Sequence, residues 1–226
     1  WFALLVLFYL HFSMRVGTAP ICSSDGQAGC HVPPLADLFD RVIQQSSRMH
    51  GISSDLHSEF EQYFFPSGNI IGKRRCHTYD IITPDDKENA QRLGPEQLTE
   101  VILRLLVAWS DPLLPLPWST LQDQSEDFNP QSHSKALEIP EMVDELKDGV
   151  QKMAERMKLE GVLGNTVGYI SADSLVPSST VSFYGQGELS PLYHHHDILY
   201  CLRRDSSKVK SYLCILKCTT LPELEC

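Results

Sequence analysis

Four segments of this sequence carry apolar residues at alternating spacings of three and four, the repeat of an amphipathic α-helix. Their apolar positions, segment by segment, are Leu35, Leu38, Val42, Met49, Ile52, Leu56 and Phe60; Leu98, Val101, Ile102, Leu105, Leu106 and Trp109; Ile139, Met142, Val143, Leu146, Val150, Met153 and Met157; and Leu192, Leu199, Leu202, Val209, Leu213 and Leu216. An apolar stripe on a helix must be buried against another element, and four such stripes can bury one another. The sequence therefore predicts an all-α bundle.

Proline and glycine mark the expected ends of these helices. Pro34 precedes the first helix, and Gly94–Pro95 opens the second. Pro140 lies early in the third segment, where proline is tolerated only near the first turn or as a kink. The third helix is expected to end at its glycines, the first of which is Gly161.

The connection lengths bear on topology. A helix of about 27 residues is roughly 40 Å long, and returning along it takes about 12 residues of extended chain. The connections 64–94 and 161–187 are both longer than that, whereas the middle link, 116–134, permits either direction. These lengths allow a long-chain up-up-down-down four-helix bundle with two long crossover loops.

The first twelve residues are almost continuously apolar. This run is too short to cross a bilayer, which takes about 20 residues, but it suits the core of a secretory signal. We expect residues 1–18 to be an N-terminally incomplete signal peptide cut after Thr18, and residues 19–226 to be one secreted helical domain without membrane insertion. The alternative is that the run forms a buried N-terminal helix of the mature fold.

The charge and the motifs exclude several classes of function. A formal net charge of -10, from 29 acidic and 19 basic residues, disfavours binding to nucleic acid. The sequence contains no phosphate-binding glycine loop, no nucleophile elbow and no compact metal-ligand pattern, so we expect no enzyme, no catalytic residue and no cofactor. A secreted carrier that holds lipid within the bundle remains an alternative.

Seven cysteines in a secreted chain indicate disulfides, with at least one thiol left over. Short polar segments separate Cys22 from Cys30 and Cys218 from Cys226, so each of these pairs can close locally. A bridge from Cys76 to the fourth helix would tie down the first crossover, which is worth very roughly 4–5 kcal/mol on the chain-entropy model. Its partner on that helix is Cys201 or, as a rival, Cys214.

Several stretches resemble known hormone sequences. They are Cys76-His77-Thr78, Thr83-Pro84-Asp85-Asp86-Lys87-Glu88, Cys201-Leu202-Arg203-Arg204-Asp205-Ser206 with Lys208, Leu38-Phe39-Asp40-Arg41, Ser134-Lys135-Ala136-Leu137-Glu138-Ile139, and Ile21-Cys22 with Cys30. The whole mature chain resembles the growth hormone, prolactin and somatolactin family. The stretches in the first and third helices, together with the N-terminal ring, resemble the prolactin branch, and somatolactins share such a ring.

The resemblance implies three disulfides, Cys22–Cys30, Cys76–Cys201 and Cys218–Cys226. Cys214 has no counterpart in the usual prolactin pattern, and we expect it to be a buried thiol in a chain that is monomeric before it meets its receptor. The alternative is that Cys214 forms an intermolecular disulfide. The resemblance also implies that the protein is a secreted hormone that binds and pairs two prolactin-type class I cytokine receptor ectodomains.

The family further implies two receptor-binding faces. The first, on helices one and four and the first crossover, would include Ile43, His50, Lys87, His196, Arg203, Arg204 and Lys208. The second lies on helices one and three, where Gly149 would let a receptor approach closely.

The sequence departs from many prolactins on the first of these faces. Ser47 and Ser207 stand where histidine is usual, and Lys210 stands where an acidic residue is usual. A pH switch near neutrality would therefore rest on His50 and His196.

His194-His195-His196 suggests a metal site at first sight. Consecutive residues of a helix point about 100° apart and do not converge on one ion. No cysteine or carboxylate lies at ligand spacing around them, so the sequence predicts no metal.

Overall fold

The computed structural model describes residues 33–66, 76–110, 130–164 and 191–223. Four long helices account for most of them: α1 (Leu35–Phe64), α2 (Pro95–Ser110), α3 (Pro130–Leu159) and α4 (Pro191–Thr220). These ranges contain no strand, which confirms the predicted all-α class. None of the described helices combines the length and the hydrophobicity needed to cross a membrane.

Helix α4 runs antiparallel to α1. The Lys217 ammonium near the end of α4 lies 2.6 Å from the Asp40 carboxylate near the start of α1. At the other end of the pair, His196 near the start of α4 lies 3.0 Å from Glu61 near the end of α1. Two contacts at opposite ends fix both the direction and the register of this helix pair.

Helix α3 also runs antiparallel to α1. Lys135, early in α3, lies 3.4 Å from Glu59, late in α1. Gly149, further along α3, packs against Val42, early in α1. The order of contacts along one helix is thus the reverse of the order along the other.

Helix α2 is antiparallel to α3. Glu96 in its first turn accepts a hydrogen bond from the Gly164 amide just beyond α3, and Ser110 at its end lies 3.2 Å from the Lys147 ammonium. Because α1 and α2 both oppose α3, and α4 opposes α1, the helices run up-up-down-down. The expected four-helix fold class, which the connection lengths allow, is confirmed.

The core lies between the four helices and consists of the predicted stripes. Residues from Pro34 onward form one compact unit. Its largest fully buried side chains are Phe39, Phe60, Leu56, Leu98, Ile102, Leu105, Leu106, Ile139, Leu146, Met153, Met157 and Leu199. Close packing of these side chains is what holds the outer helix faces rigid.

The start of α3 differs from the prediction. The helix begins at Pro130, so Pro140 lies in its interior and not in its first turn. Ser132 and Ala136 are buried and extend the inward-facing stripe backwards by two turns. The missing N–H of Pro140 removes one helical hydrogen bond, while the Lys135–Glu59 ion pair and the packing against α1 hold the turns before it in place.

The predicted end of α3 is confirmed. Gly161 has a φ of 76°, which a residue without a Cβ adopts at little cost. The Val162 amide donates to the Met157 carbonyl and the Gly161 amide donates to the Lys158 carbonyl, the hydrogen-bond pattern of a glycine-terminated helix.

The first crossover contains two short elements that the sequence did not predict. A 3-10 helix spans His77–Asp80, and a short α-helix spans Lys87–Gln91. The side chain of Asp86 caps the latter by accepting a hydrogen bond from the Asn89 amide at 2.7 Å. Elements this short carry too few apolar positions to show a helical repeat.

A disulfide between Cys76 and Cys201 anchors this crossover to α4 across 125 residues. Cys214, the rival considered above, is a free, half-buried thiol. Cys218 is disulfide-bonded, and its expected partner Cys226 lies outside the described residues. The expected N-terminal ring, Cys22–Cys30, and the expected signal peptide also lie outside them.

Candidate functional site

A groove of about 520 Å³ runs along the surface between α1 and α4. The residues that line it are His50, Ser54, Tyr200, Arg203, Arg204, Ser207 and Lys208. Four of these seven residues were predicted from the sequence to bind a partner, and the antiparallel pairing of α1 with α4 brings them together.

A second groove, of about 390 Å³, adjoins the first. Its lining comes from the first crossover and α4: Pro84, Asp85, Asp86, Lys87, Ser207, Lys208, Lys210, Ser211, Tyr212, Cys214 and Ile215. Ser207 and Lys208 line both grooves. The two grooves therefore form one continuous surface, here called the α1–α4 face, which also includes the predicted residue Lys87.

Lys208 holds the crossover and α4 together within this face. Its ammonium donates a hydrogen bond to the Thr83 hydroxyl at 2.6 Å. Burial lowers the pKa of Lys208 from 10.5, and the nearby Arg204 lowers it further, whereas Asp205 and Asp85 raise it. A cation that is partly desolvated before a partner arrives loses less hydration on binding.

His50 lies on the α1 side of the face. Its Nδ1 lies 3.1 Å from the Ser206 hydroxyl, which itself donates to the Arg203 carbonyl. Burial lowers the pKa of His50 from 6.5, and the Lys210 charge lowers it further. The pKa of His50 is therefore lower than a pH switch that acts near neutral pH would need.

Protonation of three histidines opposes folding. Burial is the largest cause of the lowered pKa values of His50, His77 and His194. Below a pH of about 6.5 the unfolded chain binds more protons than the folded one, so these groups make the free energy of unfolding fall as the pH falls. Above that pH they are neutral in both states and contribute no slope.

We expect urea titrations to show less stability at about pH 5.5 than at about pH 7.5, and His77→Gln to lose less between these values than the wild type. Glutamine keeps an N–H that can donate to the Ala108 carbonyl, which the His77 ring contacts at 3.0 Å. Equal pH dependence in the two proteins would contradict this reading of His77.

A buried carboxylate lies directly beneath the α1–α4 face. Asp205 is 1% exposed. It accepts hydrogen bonds from the Thr78 hydroxyl at 2.6 Å, the Trp109 indole at 3.1 Å and the Arg204 guanidinium at 2.8 Å. These donors come from the 3-10 helix, α2 and α4, so a single carboxylate fixes the position of the crossover relative to both helices.

Arg204 contributes to this internal network as well as to the face. Its guanidinium donates to the Thr78 hydroxyl at 2.7 Å in addition to its bond with Asp205. Its side chain is 30% exposed. Arg204 therefore presents only part of its surface to a partner. Arg203 also lines the groove, and its guanidinium lies 3.3 Å from His57 Nδ1.

The structure corrects the prediction for His196. Its side chain is 0% exposed, because it lies between α1 and α4 with its ring 5.2 Å from that of His57. It does not reach the surface of the α1–α4 face. Ile43 is half-buried and packs on the core, while Lys87 is exposed at the start of the short crossover helix.

Gly149 lies on a different side of the molecule, where α3 crosses α1. A Cβ at this position would lie 3.1 Å from Val42 Cγ1 and 3.3 Å from Gln45 Oε1. The glycine is half-buried and is not a fully exposed surface position. Its lack of a side chain allows the close approach of α1.

The Asp205 network was not predicted, although the sequence contains a signal for it. Asp205 follows Leu202 by three residues and precedes Val209 by four. A carboxylate therefore stands at a position where the helical repeat predicts an apolar residue. A charged group at such a register must be paired when it is buried. Thr78 and Trp109, which pair with it, lie about 100 or more residues away in the chain, and no local pattern links them.

Four long helices in up-up-down-down order, with two long connections, form the architecture of the helical hormones and cytokines. The chain matches the model of the Somatotropin hormone family over residues 4–226. It belongs to that family, whose members are secreted, non-enzymatic hormones that bind cytokine-type receptors.

Proposed function

We propose that this chain is a secreted hormone of the prolactin branch that binds and pairs two prolactin-type class I cytokine receptor ectodomains. In this proposal residues 1–18 direct secretion and residues 19–226 form the hormone. The α1–α4 face binds the first receptor, and the surface around Gly149 on α1 and α3 binds the second.

The observation that carries the proposal is the α1–α4 face itself. It places the cations Lys87, Arg203, Arg204 and Lys208 around two adjoining grooves on a rigid helical scaffold. Guanidinium groups at the centre of a preorganised surface are typical of residues that dominate binding energy in protein interfaces. This supports docking of a protein partner with a complementary acidic patch.

Two alternatives predict different results. A growth hormone-like or somatolactin-like paralogue would use the same face with a different receptor, so only binding to the receptors separates it from the proposal. A lipid carrier needs an enclosed apolar cavity. The two grooves are instead open surfaces bordered by charged side chains, which favours recognition of a protein.

We expect Lys208→Glu to weaken binding to the first receptor at least about tenfold. The variant replaces a cation shared by both grooves with an anion beside Asp85, and a charge reversal at an interface centre costs on the order of 1–2 kcal/mol or more. The measurement is surface plasmon resonance of the oxidised hormone on an immobilised prolactin-type receptor ectodomain, with the melting temperature as a check of folding.

Arg104→Glu is the control, because Arg104 is an exposed cation of α2 outside both grooves. The proposal predicts that this reversal leaves the affinity for the first receptor nearly unchanged. Equal loss of affinity in the two variants would indicate a general charge effect, and no loss in Lys208→Glu would remove the α1–α4 face from the proposal.

A further inference from the structure

A second group of side chains with potential metal-ligand atoms lies at the end of the bundle where α1 ends and α4 begins. His57 and Glu61 come from α1, and His196 comes from α4. One potential ligand atom from each of the three lies within 4.8 Å of the other two. None of these residues lines the grooves of the α1–α4 face.

Helix geometry explains the convergence of the three side chains. His57 and Glu61 are four residues apart and therefore share one face of α1. The antiparallel packing of α4 against that face brings the His196 ring opposite them. No local spacing around the three consecutive histidines indicates this cluster, because Glu61 belongs to a helix more than 130 residues earlier in the chain.

The Glu61 carboxylate reaches both imidazoles, one with each of its oxygens, and the three potential ligand atoms lie within 4.8 Å of one another, so small side-chain shifts would bring them around one ion. Glu61 Oε1 lies 3.0 Å from His196 Nε2, and Glu61 Oε2 lies 3.5 Å from His57 Nδ1. Two ligands of a tetrahedral zinc ion with bonds of about 2.0–2.1 Å are about 3.3–3.5 Å apart. Two imidazoles and one carboxylate are a ligand set that zinc uses in proteins, with the fourth position left to water.

Two features of the surroundings favour an ion at this cluster, and one neighbouring cation competes with it. Both histidines are buried, whereas the Glu61 side chain is 35% exposed and gives solvent a route to the cluster. The Asp197 carboxylate lies 3.7 Å from His196 Nδ1, where it can orient the ring once Nε2 holds an ion. Arg203 competes, because its guanidinium lies 3.3 Å from His57 Nδ1.

We propose that His57, Glu61 and His196 form a zinc-binding site that links the end of α1 to the start of α4. The ion occupies the space between His57 Nδ1, one Glu61 oxygen and His196 Nε2, and it displaces the Arg203 guanidinium from His57. The site is distinct from the α1–α4 face, and it does not depend on which receptor the hormone binds.

The test is calorimetric titration of zinc chloride into the oxidised, untagged chain at about pH 7.5, with cobalt(II) absorption as a second probe of ligand geometry. We expect one saturable ion that binds to this cluster, and Glu61→Gln and His196→Phe to weaken its binding at least about tenfold. Glu61 is partly exposed, so Glu61→Gln tests the site even if the buried His196→Phe variant fails to fold.

Three further variants distinguish this site from others. His50→Gln and His194→Gln lie outside the cluster and should leave the affinity for this ion unchanged. Arg203→Met should strengthen zinc binding several-fold, because it removes the competing cation from His57. The proposal is overturned if the wild type does not bind zinc, or if binding is lost in His50→Gln or His194→Gln and retained in Glu61→Gln.

Discussion

Replacing Asp205 by alanine is expected to lower the free energy of unfolding by about 3–5 kcal/mol, the range for breaking a buried charge network by removing one partner. The Thr78 hydroxyl, the Trp109 indole and the Arg204 guanidinium would all lose their shared acceptor. Each buried donor left without an acceptor costs about 1–3 kcal/mol, so the change is large even if water enters and partly replaces the carboxylate.

Urea unfolding at neutral pH, monitored by circular dichroism, measures this effect. Asp144→Ala is the matched control, since the Asp144 side chain is 59% exposed and its nearest cation, Lys147, is on the same helix. We expect that control to change the unfolding free energy by less than about 1 kcal/mol. An Asp205→Ala variant as stable as the Asp144→Ala variant would show that the carboxylate does not hold the crossover in place.

The second large effect concerns receptor pairing. Gly149→Arg is expected to abolish signalling in cells that carry the receptor while leaving affinity for the first receptor intact. A Cβ at this position already meets Val42 and Gln45 of α1, so the arginine side chain adds bulk and charge where α3 crosses α1 and blocks a partner that must approach these helices closely. No residue of α3 lines the grooves of the α1–α4 face, so the first receptor is expected to bind as before.

The close approach of Val42 and Gln45 makes a control essential. A Cβ at Gly149 must push against these side chains, at 3.1 Å and 3.3 Å, so part of any effect could come from packing. Gly149→Ala carries that Cβ without the long side chain and is expected to keep receptor pairing. Equal loss of signalling in both variants would point to helix packing, and full signalling by Gly149→Arg would refute the assignment of the second face.

The four long helices could be predicted well because the spacing of apolar residues within each segment already indicates a helix. Four apolar stripes identified all four long helices, and Gly161 marked the end of α3 through a backbone conformation that glycine favours. The start of α3 was placed too late because Ser132, a polar residue, continues its buried stripe. The stripe could not show this, since the burial of Ser132 depends on Glu59 of α1.

The candidate site could be predicted only where it consists of half-buried cations close together on one helix. Arg203 and Lys208 lie in a single short stretch, and the structure places both on the α1–α4 face. The burial of His196 and the role of Asp205 depend on side chains from distant segments, such as His57 and Thr78. Such contacts exist only after the helices have packed.

The most direct test of the account is a titration of the oxidised hormone with purified prolactin-type, growth hormone-type and somatolactin-type receptor ectodomains. We expect saturable binding to the prolactin-type ectodomain, with a final complex of two receptors per hormone by light scattering, and much weaker binding to the other two. Failure to bind any of the three, or preferential binding to a growth hormone-type or somatolactin-type ectodomain, would contradict it.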